Sequence, residues 1–398
     1  MVQSDRWLLP EGIEDLLPDE AERVELLRRD LLTLFHSWGY ELVIPPLIEF
    51  LDSLLVGSAN DLENHTFKLV DQISGRLIGV RADITPQVAR IDAHRLKRQS
   101  PVRLCYFGPV LLTKARDAAG ARGPLQVGAE LYGHSGLESD LEVLRLMLES
   151  LRITGIEHVC LDLGHVGVFR NLVQQTRIAV DLEDQLFDAI QRKAKSEIHE
   201  LLRNVADREG ARMLEALIDL NGGAEVLAEA RGQLRKASPA VGAAMDSVER
   251  AAAALHATQP NLQIHYDLAE LRGYRYHTGL VFAAYVPGYG QAVAQGGRYD
   301  DVGRVFGRAR PATGYSMDLK TIISQKGPYS AAPKGVFAPA EGDEQLDAQV
   351  NALRRAGERV IRQLPGQIGS AADMGCNRVL VKQGAKWAVV RLENGGNG

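Results

Sequence analysis

Leu104-Cys105-Tyr106-Phe107-Gly108-Pro109-Val110-Leu111-Leu112, an Ala/Gly-rich loop, then Leu125-Gln126-Val127-Gly128-Ala129-Glu130-Leu131-Tyr132-Gly133: the reading of this stretch decides the fold. Two apolar runs separated by small residues read as strand, loop, strand. Side chains alternate faces along a strand. Val127, Ala129 and Leu131 therefore share a plain core face, while Gln126, Gly128, Glu130 and Tyr132 share the other. That second face is odd, because an amide and a carboxylate flank a glycine. The missing side chain at Gly128 leaves room for something small between them. For the strand taken alone, a solvated outer face with a tolerated glycine is the preferred reading, and the neighbouring segments shift the balance.

Working outward, Pro18 to Trp38 reads as a helix: Val24, Leu27, Leu31, Phe35 and Trp38 form one apolar stripe, Asp19 and Glu20 suit the N-terminal dipole, and Gly39 stops it. Glu41 to Pro46 reads as a strand closed by prolines. Phe67 to Val80 reads as a hairpin turning at Ser74-Gly75. Thr85 to Leu96 is predicted helical, with Thr85 as N-cap and Pro86 in the first turn. Leu137 to Leu151 is a further helix and His158 to Leu163 a further strand. Asp181 to Leu255 is almost entirely helical in pattern, with breaks at Gly222-Gly223 and Pro239. Strands return at Gln263 to Asp267, Leu280 to Val286 and Gln291 to Ala294, and Asp318 to Ser324 closes as a short helix. The tail reads as a strand from Val336, a helix from Gln345 to Leu364, and strands at Arg378 to Lys382 and Trp387 to Leu392.

Strands joined by hairpins, with helices gathered in blocks, argue for an α+β fold on an antiparallel sheet rather than a doubly wound parallel one. The expected organisation is a sheet domain over residues 1–325, interrupted by a helical insertion at about 181–257. A Pro/Ser/Ala/Gly-rich linker at 326–335 and a small α/β unit at 336–398 follow.

With 398 residues the chain can bury a large core in two or three domains. Hydrophobic residues make up 45% and charged residues 24%, an ordinary globular balance. The net charge of −5 disfavours nucleic acid only weakly, since a basic face can coexist with it. From Lys326 onward ten Lys/Arg stand against seven Asp/Glu, too small an excess to mark a polyanion site. Cys105, Cys160 and Cys376 lack metal-ligand spacing, and Cys105 and Cys160, inside apolar strand-like runs, read as buried thiols in a reducing cytosol; no metal site and no cofactor are expected. Val2 to Arg6 leads into no long apolar core, and no apolar run approaches a membrane span; the expected location is cytoplasmic.

Three segments join the strand face as candidates. Arg81-Ala82-Asp83-Ile84-Thr85-Pro86-Gln87 is either a capping segment or a carboxylate and hydroxyl offered to an ammonium group. Leu271-Arg272-Gly273-Tyr274-Arg275-Tyr276-His277-Thr278 and Ala294-Gln295-Gly296-Gly297-Arg298-Tyr299-Asp300 read singly as turns. Together, in this order and spacing, they are specific.

Over residues 7 to 325 the chain resembles histidyl-tRNA synthetase, a class II aminoacyl-tRNA synthetase. Leu104 to Gly133 is similar to the second class II motif, and Gly39 to Glu49 to the first, which builds the dimer interface. Arg272-Gly273 with Tyr276, and Gly296 to Asp300, are similar to the two histidine-specific motifs. Ala312 to Met317 is similar to the start of the third class II motif. The resemblance implies an amino-acid pocket in which Asp83, Thr85 and Gln126 face the α-ammonium, Glu130 and Tyr276 the imidazole, and Arg272 the carboxylate. Charge-assisted bonds of this kind discriminate strongly in a partly dry site. Asp83 stands where the synthetase uses glutamate, Arg275 where it has aspartate and His277 where it has a second tyrosine.

The nucleotide side departs further. Leu112 replaces the arginine that holds the ATP α-phosphate, Lys114 the glutamate just beyond it, and Thr321 the arginine on the γ-phosphate. Lys320 reverses a carboxylate near the metal. Two lost charged bonds cost roughly 3–6 kcal/mol of phosphate binding, and phosphoryl chemistry depends on such positioning. The tail is also shorter than the synthetase's anticodon-binding domain. One family keeps this frame without these arginines, the regulatory subunits of short-form ATP phosphoribosyltransferase. That resemblance implies no catalytic residues and a separate catalytic subunit as partner. It also implies free histidine as ligand, feedback regulation of the first step of histidine biosynthesis, and homodimers within a hetero-octamer, with no tRNA. A divergent histidyl-tRNA synthetase and a stand-alone histidine sensor are the alternatives.

Overall fold

The structure, a computed structural model, describes residues 7–55, 60–115, 121–271, 273–325 and 335–392. The expected linker therefore lies almost wholly outside the described residues. The chain divides into two compact units, 1–327 and 328–398.

The first unit is built on a nine-stranded sheet. Its strands are β1 (Glu41–Val43), β5 (Val102–Pro109), β6 (Leu125–Tyr132), β7 (Cys160–His165), β8 (Asn221–Gly222), β9 (Gln263–Asp267), β10 (Leu280–Tyr285), β11 (Ala292–Arg298) and β12 (Ala312–Asp318). They lie in the order β1-β5-β6-β12-β11-β10-β7-β9-β8. The six central strands pair antiparallel, as the hairpin pattern predicts. Two pairs depart from the expectation: β1 runs parallel to β5, and β7 parallel to β9. A parallel neighbour needs a long crossover connection, and both pairs have one. Between β1 and β5 lie a small sheet of β2 (Ile48–Phe50), β3 (Phe67–Val70) and β4 (Leu77–Val80), then a helical segment. Between β7 and β9 lies the helical insertion.

Helices Pro18–Ser37 and Leu137–Ile153 cover one face of the sheet. Leu31, Phe35, Val127, Ala129, Leu144, Met147, Leu161 and Tyr315 belong to one apolar cluster with them. Val127, Ala129 and Leu131 point into that core as the alternation predicts. The insertion has a second core, running from helix Val166–Thr176 through Val180–Gln191 to Pro239–His256. Gly222 sits in β8, where its φ of +151° suits a strand edge that breaks the helical run. Pro239 opens the last helix as its first residue rather than interrupting one.

Two local expectations are corrected. Thr85 is the first helical residue, not the cap; helix Thr85–Arg90 is preceded by Ile84, and the Thr85 amide donates instead to Asp83 Oδ1 at 2.9 Å. The helix then widens into a π-turn over Ile91–Leu96, ending at Lys97 in the left-handed region. In the second unit, the helix expected to reach Leu364 spans only Glu344–Arg355. Gly357, at φ +84°, turns the chain into β14 (Val360–Arg362). The β-branched Val360-Ile361 pair favours that strand. It joins β13 (Gly335–Ala338), β15 (Cys376–Gln383) and β16 (Lys386–Arg391) in a four-stranded sheet. Among the described residues no helix is long and apolar enough to cross a membrane, and none group with the composition of a metal site.

Candidate functional site

The face of β6 opposite the core carries the site. Register pairs Glu130 with Leu104 on β5 and Gly314 on β12; Gly128 faces Tyr106 and Ser316. The space expected above Gly128 is filled by protein: a Cβ there would lie 2.4 Å from the Tyr106 hydroxyl. The glycine serves an aromatic side chain crossing from the neighbouring strand.

Glu130 is 1% exposed. The Tyr106 hydroxyl donates to its Oε1 at 3.1 Å, and the Tyr299 hydroxyl donates to Oε2. Tyr299 is also 3.3 Å from the Tyr132 hydroxyl. The Tyr276 ring stacks on Tyr299 with centroids 4.9 Å apart. Its own hydroxyl is buried with no hydrogen-bond partner among the described residues. Such a group costs free energy unless something else bonds it. Burial pushes the Glu130 carboxyl up to about 8, against the opposing hydrogen bonds of Tyr299, Thr85 and Tyr106. The Asp83 charge adds to the upward push.

The other end of the face is a polar chain. Gln126 Nε2 donates to Asp83 Oδ1 at 2.9 Å, and its Oε1 accepts from the Ile84 amide at 2.9 Å. Thr85 Oγ1 lies 3.1 Å from the Tyr106 hydroxyl. Bonds thus run from Asp83 and Gln126 through Thr85 and Tyr106 to Glu130. Asp83, Thr85, Gln126, Glu130 and Tyr276 converge on one site, and Arg272 lies outside the described residues. Sequence reading assigned no role to Tyr106, Tyr132 or Tyr299. The signal existed: Tyr132 shares the face of Glu130, and Tyr299 lies in the quoted Gly-Gly-Arg-Tyr-Asp run. Tyr106 needed the strand register to be placed opposite Gly128. Burial pushes the His277 imidazole down to about 4, so the ring is neutral near pH 7. It packs where a Cβ on Gly297 would lie 2.8 Å from Nδ1. Arg298 is structural, paired with Asp140 and bonded to the Gly136 carbonyl.

The raised carboxyl has a sign that can be checked. Protonated Glu130 is favoured in the fold, so its contribution is fully present below its ordinary value of 4.5 and is lost as pH rises through about 8. Between those values stability falls by up to about 1.4 kcal/mol per pH unit from this group. Glu130→Gln removes that slope. Urea unfolding of both proteins from pH 5 to 8 should show the variant gaining on the parent; a constant gap contradicts the assignment.

Leu112 is 2% exposed. Its carbonyl accepts from Arg122 Nε at 3.0 Å, and Arg122 Nη1 donates to the Glu11 carbonyl at 3.0 Å. Thr321 Oγ1 donates to Asp318 Oδ2 at 2.8 Å, and Asp318 caps helix Leu319–Ser324 while accepting from the Leu125 amide. Lys320 pairs with Glu14 at 3.5 Å. Each of these groups is engaged within the protein.

The histidyl-tRNA synthetase family matches residues 12–322, so the first unit has the class II histidyl-tRNA synthetase fold. A profile described as the ATP phosphoribosyltransferase subunit HisZ C-terminal domain matches residues 333–390. Full-length relatives agree with the second match. The ATP phosphoribosyltransferase regulatory subunit of Thioalkalivibrio sulfidiphilus is 56% identical, covering 98% of this chain and 100% of the relative. That of Pseudomonas entomophila is 51% identical with the same coverage. The chain belongs to the ATP phosphoribosyltransferase regulatory subunit family. Among solved structures, an ATP phosphoribosyltransferase regulatory subunit/histidyl-tRNA synthetase from Bacillus halodurans superposes with a TM-score of 0.81 at 25% identity, covering 92% of this chain and 96% of that one. A histidyl-tRNA synthetase from Nostoc shares the fold, with a TM-score of 0.76 at 19% identity and 94% and 91% coverage.

Proposed function

We propose that this chain is the non-catalytic regulatory subunit of a short-form ATP phosphoribosyltransferase, the first enzyme of histidine biosynthesis. It assembles with a separate catalytic subunit and carries feedback by free histidine. The observation that supports this most is the contrast between two groups of residues in the sheet domain. The first keeps Asp83, Thr85, Gln126, Glu130 and Tyr276 together. The second has the buried Leu112 and the capped Thr321 where the synthetase resemblance places arginines.

In this reading histidine is held by the first group. Asp83, with the Thr85 hydroxyl and Gln126, receives the ammonium; Arg272 takes the carboxylate by resemblance. Glu130 meets one imidazole nitrogen, and the Tyr276 hydroxyl, unpartnered among the described residues, gives the ring a second contact. Regulation requires histidine to favour one state of the assembled enzyme, a coupling of about 1–3 kcal/mol in typical cases. Self-association has support as well. Leu42, Ile44, Leu47 and Ile48 at and beyond the edge strand β1, with Leu69, Val70, Ile73 and Leu77 on the small sheet, are exposed, an apolar surface that a partner would cover. A homodimer within a hetero-octamer, without tRNA, is the assembly this reading expects.

The reading is tested by mixing the full chain with a short-form catalytic subunit. Co-elution, gain of phosphoribosyl transfer and histidine-dependent inhibition are expected, with histidine-dependent ATP–pyrophosphate exchange at background. Exchange well above background would make the chain a synthetase. Histidine binding without co-elution would make it a stand-alone sensor.

A further inference from the structure

The turn that carries Tyr276 is held from outside the sheet, by the helical insertion. Tyr274, two residues ahead, is 7% exposed. Its ring meets Phe169 edge-on at 5.2 Å and Phe187 at 5.4 Å, and its hydroxyl donates to Glu183 Oε1 at 2.7 Å. Arg275 Nη2 donates to Asp184 Oδ1 at 2.7 Å. Arg170 donates to the carbonyls of Tyr274 at 2.8 Å and His277 at 2.9 Å, and its guanidinium lies 4.9 Å from the Tyr274 ring. Phe169 and Arg170 lie on helix Val166–Thr176, and Glu183, Asp184 and Phe187 on helix Val180–Gln191. The second helix is itself anchored in the insertion core through Leu186, Ala189 and Ile190. Gly273, at φ +64°, lets the turn fold back tightly enough for both contacts.

Arg275 thus has a structural partner: a cation at this position complements Asp184, where an aspartate would repel it. The two links differ in weight. Arg275 and Asp184 are 45% and 53% exposed, so their pair is worth little alone. The Tyr274 bond to Glu183 is charge-assisted and partly buried, and stronger for that reason.

We propose that helix Val180–Gln191 is a positioning element of the pocket: Glu183 and Asp184 fix the turn at 273–278, and the turn fixes Tyr276 against Tyr299 above Glu130. The proposal rests on the reading that histidine occupies this pocket. Coupling of this kind is reciprocal, so bound histidine restrains the insertion helix in turn. The insertion then has a role in this chain that needs no nucleic acid.

Calorimetry and hydrogen exchange on the full chain test it. Tyr274→Phe keeps the ring packing and loses one charged bond, so histidine should bind about three- to tenfold more weakly. Amides in 273–278 should exchange faster. In the parent, histidine should slow exchange across 180–191, and in Tyr274→Phe it should do so less. Arg275→Asp should weaken binding about two- to fivefold, and Arg275→Asp combined with Asp184→Arg should restore it, which a general folding defect would not allow. Unchanged affinity in Tyr274→Phe, or a double variant as weak as the single one, overturns the proposal. If the parent binds no histidine, the pocket reading itself falls. Exchange at 273–278 still decides whether the insertion holds the turn: equal rates in parent and Tyr274→Phe mean that it does not.

Discussion

Glu130→Ala should weaken histidine binding by about 5- to 150-fold, the cost of leaving a buried polar group without its partner at roughly 1–3 kcal/mol. The effect is large because the side chain is the hub of the site. It accepts from Tyr106 and Tyr299, and Tyr276 lies against Tyr299 with its hydroxyl unpaired among the described residues. On the proposed reading alanine removes the imidazole's partner, and it takes from Tyr106 and Tyr299 their bonds to the carboxyl. Titration calorimetry of the isolated chain measures it directly. Glu130→Gln keeps the volume and one acceptor, so it should fall between parent and alanine. Affinity that survives both changes would place histidine elsewhere on the molecule, with this pocket left as a structural remnant.

Gly314→Ala should cost about 3 kcal/mol or more of stability, at the upper end of what overpacking usually does. A Cβ at 314 would lie 1.5 Å from Glu130 Oε2 and 2.9 Å from the Ala129 carbonyl. Glu130 has no free direction in which to retreat, since Tyr299 holds the same oxygen, and the carbonyl belongs to a central strand. Either β12 shifts on β6 or the carboxyl is expelled from its hydroxyl cage. The measurement is the denaturant midpoint, with Gly242→Ala as control. Gly242 is in helix Pro239–His256 with nothing within 4 Å of its would-be Cβ. There alanine should add about 0.5–1 kcal/mol by helix propensity. A Gly314→Ala protein as stable as the parent would mean that Glu130 sits less tightly than described.

Much of this was legible in the chain alone, and the reason is local. Alternation along 126–132 placed Glu130 and Gln126 on one face without any tertiary information, because a strand's side-chain period is fixed. The stripe from Val24 to Phe35 did the same for the long helix. What stayed hidden depended on pairing. That Tyr106 fills the space over Gly128 follows from register across two strands. β1 and β9 were both legible as strands, but their parallel pairing was not, because their partners lie beyond long crossovers. The end of the helix at Arg355 was missed at an Ala-Gly step, where the stop is a single left-handed glycine. Thr85 looked like a cap by residue type, but the carboxylate two positions earlier took the amide first.

The side-by-side placement of β7 and β9 has an evolutionary consequence. Asp162 and His265 touch across the two strands, 103 residues apart in sequence. A segment whose two ends emerge next to each other can lengthen, shrink or be exchanged at an entropic cost that grows only with the logarithm of its length. Selection could therefore rework what lies between these strands as a detachable cassette, giving an inherited scaffold new duties while the catalytic-type sheet beneath it kept its geometry.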